Sequence, residues 1–188
     1  EHEYYHQLAK SETNIFKKFF FTSEALKLKK FKNNLAFADE ILVISKYDEM
    51  YFSSLFKTVK LIPPFHQYHE VIIEENGSDY ILFNADFNIS TNYQFAKKLN
   101  NWAKTSDKKL LLAGKVDFVV NDDLNIIQNP TDLELDKLIG QAFINIISVE
   151  QQTGFKLKLV HALHRSKNVV IVGQQIEEFS FFNCPQIK

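Results

Sequence analysis

The chain has 188 residues, of which 45% are hydrophobic and 24% charged, and its formal net charge is −1. That length supports a sizeable core in one domain or slightly more. The composition excludes a disordered chain, and no apolar run reaches the roughly 18 residues a membrane-spanning helix needs.

Near-neutral charge gives no general affinity for nucleic acid or for anionic membranes. Arg165 is the sole arginine among 22 basic residues, which argues against a surface built for bidentate phosphate recognition. Cys184 is the only cysteine, so a disulfide scaffold is excluded and a reducing compartment is the natural reading. The chain opens on Glu1 rather than on a methionine, which reads as a piece of something longer.

Residues 1–40 are predicted to form two helical segments. Ser23 would cap the second, placing Leu28, Phe31 and Leu35 on one face. "ILVIS" at 41–45 predicts a buried strand, and Ser45 with Asp48 predicts a capped helix through about Phe56. "VKLIPPF" predicts a strand that Pro63-Pro64 ends. Residues 65–78, with Glu74, Glu75 and the Asn76-Gly77 turn, read as a linker between a domain at 1–64 and one at 79–188.

Beyond the linker the pattern is regular. Strands are predicted at 80–87, 109–114 and 124–130, at "AFINIISV", and at "NVVIVG". Thr91 with Gln94 would cap a helix carrying Phe95, Leu99 and Trp102 on one face. Thr131 with Glu134 forms a clear capping box ahead of Leu135, Leu138 and Ile139, and residues 154–166 predict a further helix. Short β-branched runs alternating with capped helices predict an α/β domain: a parallel, doubly wound sheet with helices on both faces.

In such sheets ligands bind beyond the carboxyl ends of the strands. Four loops fall there, at 84–90, 114–116, 128–131 and 150–156. In the last, Gly154 permits close backbone approach, the next helix offers unpaired N–H groups, and Lys156 and Lys158 add positive charge. The loop reads either as a diphosphate seat or as a plain turn with solvated lysines. Lys158, His161 and Arg165 share a face, which is either a site face or a solvated polar stripe opposite Phe155, Leu159 and Leu163; His164 reads as solvated.

No G-x-G-x-x-G fingerprint, phosphate-binding G-x-x-x-x-G-K-[ST] loop or G-x-S-x-G elbow occurs. His66 and His69 lie three apart but no Cys or further His joins them, so no metal site is expected. No D-x-D pair occurs, which weakens mechanisms that hold a diphosphate through a metal.

Taken in order, the segments "ADEILVISKYDEMYF", "VKLIPPF", "ILFNADFNISTN", "LLLAG", "PTDLELDKLIG" and "TGFKLKLVHALHRSKNVVIVG" carry a family likeness, and "EHEYY" adds to it. The chain resembles glycosyltransferases of the GT-B fold, in particular the large group 1 family of retaining, nucleotide-sugar-dependent enzymes.

The resemblance implies that residues 1–64 are the last elements of an acceptor-type Rossmann-like domain. It makes 79–188 most of the donor-binding Rossmann-like domain. It also implies a nucleoside-diphosphate sugar as substrate, no cofactor or metal, a glycan, lipid or small acceptor, and no nucleic-acid partner. A cytoplasmic location follows, at the inner membrane face where the acceptor domain makes peripheral contact.

Carried onto this sequence, Thr153, Gly154, Phe155, Lys156 and Lys158 would hold the diphosphate. Asn129, Thr131 and His161 would meet the base or ribose. Asn84, Lys115 and Glu150 would flank the donor pocket, and Glu1 would act from the acceptor side. His161 stands where the family usually has a ribose-binding glutamate, and an imidazole accepts only one such hydrogen bond. The family's basic pair is missing from "NADFNISTN", and its glycine before the last strand is replaced around Ser166-Lys167. These departures keep a second reading open: a non-catalytic donor-type domain that acts as an interaction or helper module.

Overall fold

In a computed structural model, the structure describes residues 2–62, 70, 72, 78–120, 123–149 and 156–173. These fall into two compact units, one holding the described residues up to Ile62 and the other those from Glu70 onward.

In the first unit, helices α1 (His2–Ser11) and α2 (Ile15–Phe31) precede a short 3₁₀ helix over Lys32–Phe37. Strands β1 (Ile41–Val43) and β2 (Val59–Leu61) pair in parallel around α3 (Lys46–Ser53). Ser23 does not cap α2, because it lies in mid-helix. The cap is Asn14, whose side chain accepts from the N–H groups of Phe16 at 3.0 Å and Lys17 at 3.2 Å. Ser45 does cap α3, accepting from the Asp48 N–H at 3.0 Å, though the helix stops at Ser53. Ala25 is buried, while Ile15, Phe16, Phe19 and Phe20 of the same helix are exposed.

The second unit is an α/β layer structure compatible with a Rossmann-like fold. Among the described residues its five strands are β3 (Tyr80–Asp86), β4 (Lys109–Lys115), β5 (Ile126–Gln128), β6 (Ile144–Ser148) and β7 (Val169–Val172). All pair in parallel, in the order β5-β4-β3-β6-β7. Helices α4 (Ser90–Ala103), α5 (Asp132–Gln141) and α6 (Leu157–Arg165) make the crossovers.

Right-handed crossovers place α4 on one face of the sheet and α5 and α6 on the other. Strand alternation sorts the core accordingly. Ile81, Phe83, Leu112 and Ile146 pack with Phe95 and Ala96 of α4. Leu82 and Ile147, from the intervening positions, are buried with Ile139 and Leu159. Phe83 meets Phe95 edge-on with centroids 5.1 Å apart. On the α5–α6 face the buried Asn145 amide donates to the Ile139 carbonyl at 2.9 Å and to Ser166 Oγ at 2.8 Å. It thereby ties the carboxyl ends of both helices to β6.

Two expectations change here. The α4 helix begins at Ser90 after Ile89 with no side-chain cap, so the Thr91–Gln94 box does not form. Instead the Asn92 amide reaches back to the Asp86 carbonyl at 2.9 Å. Trp102 is 48% exposed, at the end of an apolar face that Phe95 dominates.

The Thr131–Glu134 capping box forms in full on α5. Thr131→Ala should therefore lower unfolding stability by about 1 kcal/mol, measurable by urea denaturation. Thr131→Ser should leave it nearly unchanged.

Candidate functional site

The strand order identifies where a ligand belongs. From β3 the chain moves to β4 on one side, and from β6 to β7 on the other. The crevice between the carboxyl ends of β3 and β6 is thus the topological switch point, the usual ligand position in an open parallel sheet.

A lysine of α6 occupies that place. Lys158 Nζ lies 3.4 Å from the main-chain oxygen of Asn84 on β3 and 5.4 Å from the centre of the Phe83 ring. Among the described residues no carboxylate pairs with it. Burial lowers its pKa from the ordinary 10.5 to about 8, and the neighbouring Lys156 charge adds to the effect. A carbonyl dipole and a ring face only partly replace water around an ammonium. The group is left short of a counter-charge.

The helix carrying it points the same way. Among the described residues no side chain caps the first turn of α6, and that turn contains no acidic residue. Its amino end therefore keeps its partial positive charge. The amino ends of the other two helices differ. At α5, Glu134 accepts from the Thr131 N–H and hydroxyl, each at 2.8 Å, and these bonds hold its carboxyl below the usual range. A carboxylate thus already occupies that end. At α4 no side chain caps the helix, but Asp86 stands beside it, accepting from the Asn88 N–H at 3.0 Å. Of the three, only α6 combines an uncapped end with a lysine at the crevice.

The remaining sequence-derived candidates divide clearly. Asn84 meets Lys158 through its carbonyl. Lys115, the last residue of β4, forms an exposed ion pair with Asp117 at 3.3 Å. Asp117 and Asn88 bond reciprocally at 3.0 and 2.9 Å, which stitches the loops after β3 and β4 together.

Asn129 adopts a left-handed conformation with φ 49°. Its amide brackets Val116, accepting from the N–H at 3.1 Å and donating to the carbonyl at 3.0 Å. The side chain is committed to the fold. Thr131 is likewise engaged in its capping box. His161 turns to α5, with Nε2 2.9 Å from Asp136 Oδ1. Lys156 precedes α6 as its N-cap residue. Glu1, Glu150, Thr153, Gly154 and Phe155 lie outside the described residues, as do His66 and His69.

The sequence reading missed Phe83 and Asp136. Phe83 looks like any strand aromatic until β6 is placed beside β3. Asp136 had a usable signal: a lone arginine in a lysine-rich chain implies a carboxylate that requires its planar fork. Among the described residues no group of three or more His, Cys, Asp or Glu is placed to hold a metal ion. Among the same residues no helix is long and apolar enough to cross a membrane. Comparisons with known protein families and with curated proteins find no match to this chain.

Proposed function

We propose that the second unit is the nucleotide-sugar-binding half of a glycosyltransferase, with the diphosphate seated at the amino end of α6 against Lys158. The observation that carries this reading is the unneutralised ammonium of Lys158 at the switch point of a parallel sheet, beside an uncapped helix end. The ordered motifs that resemble group 1 GT-B enzymes supply the finer assignment to a sugar nucleotide.

The chemistry follows from the leaving group. When the bond between sugar and diphosphate breaks, negative charge grows on the departing oxygen. An ammonium fixed in a low-dielectric crevice, with helix N–H groups beside it, stabilises that charge more than it stabilises the bound substrate. Binding also restores to Lys158 the counter-charge that the fold withholds. The acceptor would be a glycan, a lipid or a small molecule, with transfer at the cytoplasmic side of a membrane.

UDP, GDP and ADP, tested separately against the protein by thermal unfolding, provide the check. One of them should raise the melting temperature saturably, by about 2.7 kcal/mol of stabilisation at a hundred times its dissociation constant. No shift with any of the three would count against the proposal.

One observation favours a second reading, a non-catalytic module that keeps the anion seat without sugar transfer. The side chains of Asn129, Thr131 and His161 already have partners within the fold. Under that reading a nucleoside diphosphate and plain pyrophosphate bind equally well, whereas a transferase prefers the nucleotide.

A further inference from the structure

The sole arginine of the chain ends α6, and its guanidinium forks onto one carboxylate. Arg165 Nε donates to Asp136 Oδ1 at 3.1 Å, and Nη2 lies 3.0 Å from Oδ2. The two side chains are only 12% and 16% exposed, so this is a shielded, two-pronged pair rather than a surface contact. His161 approaches the same Asp136 Oδ1 from one turn earlier on α6. Such a pair would suffice to pack α6 on α5, yet the arginine also reaches a third element.

Ile72 belongs to the second unit and precedes β3. Its N–H donates to the carbonyl of His164 at 2.9 Å, and its own carbonyl stands 3.5 Å from Arg165 Nη1. One residue is thus held at both its N–H and its carbonyl by the last turn of α6. His164 supplies one of the carbonyls that a helix leaves unpaired at its carboxyl end. Arg165 supplies a donor held in place by Asp136. Six residues on, the Ser78 N–H donates to the Gln141 carbonyl at the end of α5 at 2.6 Å.

We infer that the Asp136–Arg165 pair is a latch that fastens Ile72 to the carboxyl end of α6. Side-chain packing plays little part in the seat, since Ile72 is half exposed. The hold is through two hydrogen bonds at the Ile72 main chain, one to the His164 carbonyl and one from the guanidinium. Lys158 sits on the first turn of the same helix, so the latch lies at the end of α6 opposite the crevice lysine. Asp136 and Arg165 are positioning residues in this account, not members of the anion seat.

Amide hydrogen exchange on the full chain tests it, because the Ile72 N–H loses its bond to the His164 carbonyl when Ile72 is released. In Arg165→Met, exchange at Ile72 should accelerate about tenfold or more. The amides of Leu82 in β3 and Ile146 in β6 should change by less than about twofold. Arg165→Lys keeps the charge but loses the fork, and should fall between Arg165→Met and wild type. An unchanged Ile72 rate in both variants would overturn the latch. So would equal acceleration at Ile72, Leu82 and Ile146, or failure of both variants to fold, since either would make the pair a support of the whole unit.

Discussion

Replacing Lys158 with methionine is expected to weaken nucleoside-diphosphate binding about 30- to 100-fold while making the unliganded protein more stable. The two effects share one cause. The ammonium sits in the crevice with a carbonyl oxygen at 3.4 Å and a ring face at 5.4 Å, and no described carboxylate pairs with it. A hydrogen bond to a charged group contributes about 1.5–3 kcal/mol, which sets the lower part of the loss, and the removed Coulomb attraction adds to it. Methionine keeps the length and apolar stem without the burial cost of the charge, so the melting temperature should rise by a few degrees.

Dependence on pH separates this from a packing effect. Between about pH 8 and 10.5 the unfolded chain still carries a proton at Lys158 that the folded chain has released. Stability of the free protein should therefore rise with pH across that window. Affinity for the anion should move the opposite way, falling by up to about tenfold per pH unit above 8 as the ammonium is lost. The methionine variant should show neither slope. Calorimetric titration with the nucleotide and thermal unfolding, each from pH 7 to 9.5, read both. Wild-type affinity in the variant at pH 7 would remove Lys158 from the seat.

Gly114→Ala should be the most damaging single methyl addition in the second unit. Gly114 has φ 151°, and a Cβ built on it would stand 1.8 Å from the main-chain oxygen of Ala85, its register partner on β3. That oxygen belongs to the central strand and cannot rotate away as a side chain could. Either β3 separates from β4 or the carboxyl end of β4 re-forms, and both disturb the ladder that carries Asn84. A loss of at least about 3 kcal/mol is expected, among the large values that single substitutions reach. Denaturant unfolding should show it as a lower midpoint, and Ala113→Gly beside it should cost far less. A Gly114→Ala protein within about 1 kcal/mol of wild type would mean that the close approach to Ala85 is relaxed in solution.

Local chemistry was legible wherever a local interaction decides the structure. The Ser45–Asp48 and Thr131–Glu134 spacings each produced the cap they imply, because the bonds involved span three residues. The Thr91–Gln94 pattern failed because a non-local demand intervened: the chain leaves β3 through a turn at Asp86, and Asn92 is drawn back to it. The second helix of the first unit was misread at its start because "IFKKFFF" is apolar on both faces, so its period gave no phase.

The five parallel strands and three crossover helices were readable from alternating runs and punctuation. Strand order was not, and the site depends on it. With β6 placed beside β3, a lysine read as part of either a diphosphate seat or a solvated helix face becomes a partly buried one against Phe83 and Asn84. The same order puts α5 and α6 on one face, which makes a seam of His161 and Arg165 through Asp136. A sequence pattern shows which residues share a helix face, but not what that face meets.

The central claim is that the ammonium at the β3–β6 crevice lacks a counter-charge which an anionic ligand supplies. Nuclear magnetic resonance titration of the Lys158 Nζ group, with and without a saturating nucleoside diphosphate, measures this most directly. The account predicts a pKa near 8 in the free protein, rising by at least about one unit when the nucleotide binds. A free-state value at the ordinary 10.5, or one that stays unchanged at saturation, would contradict it.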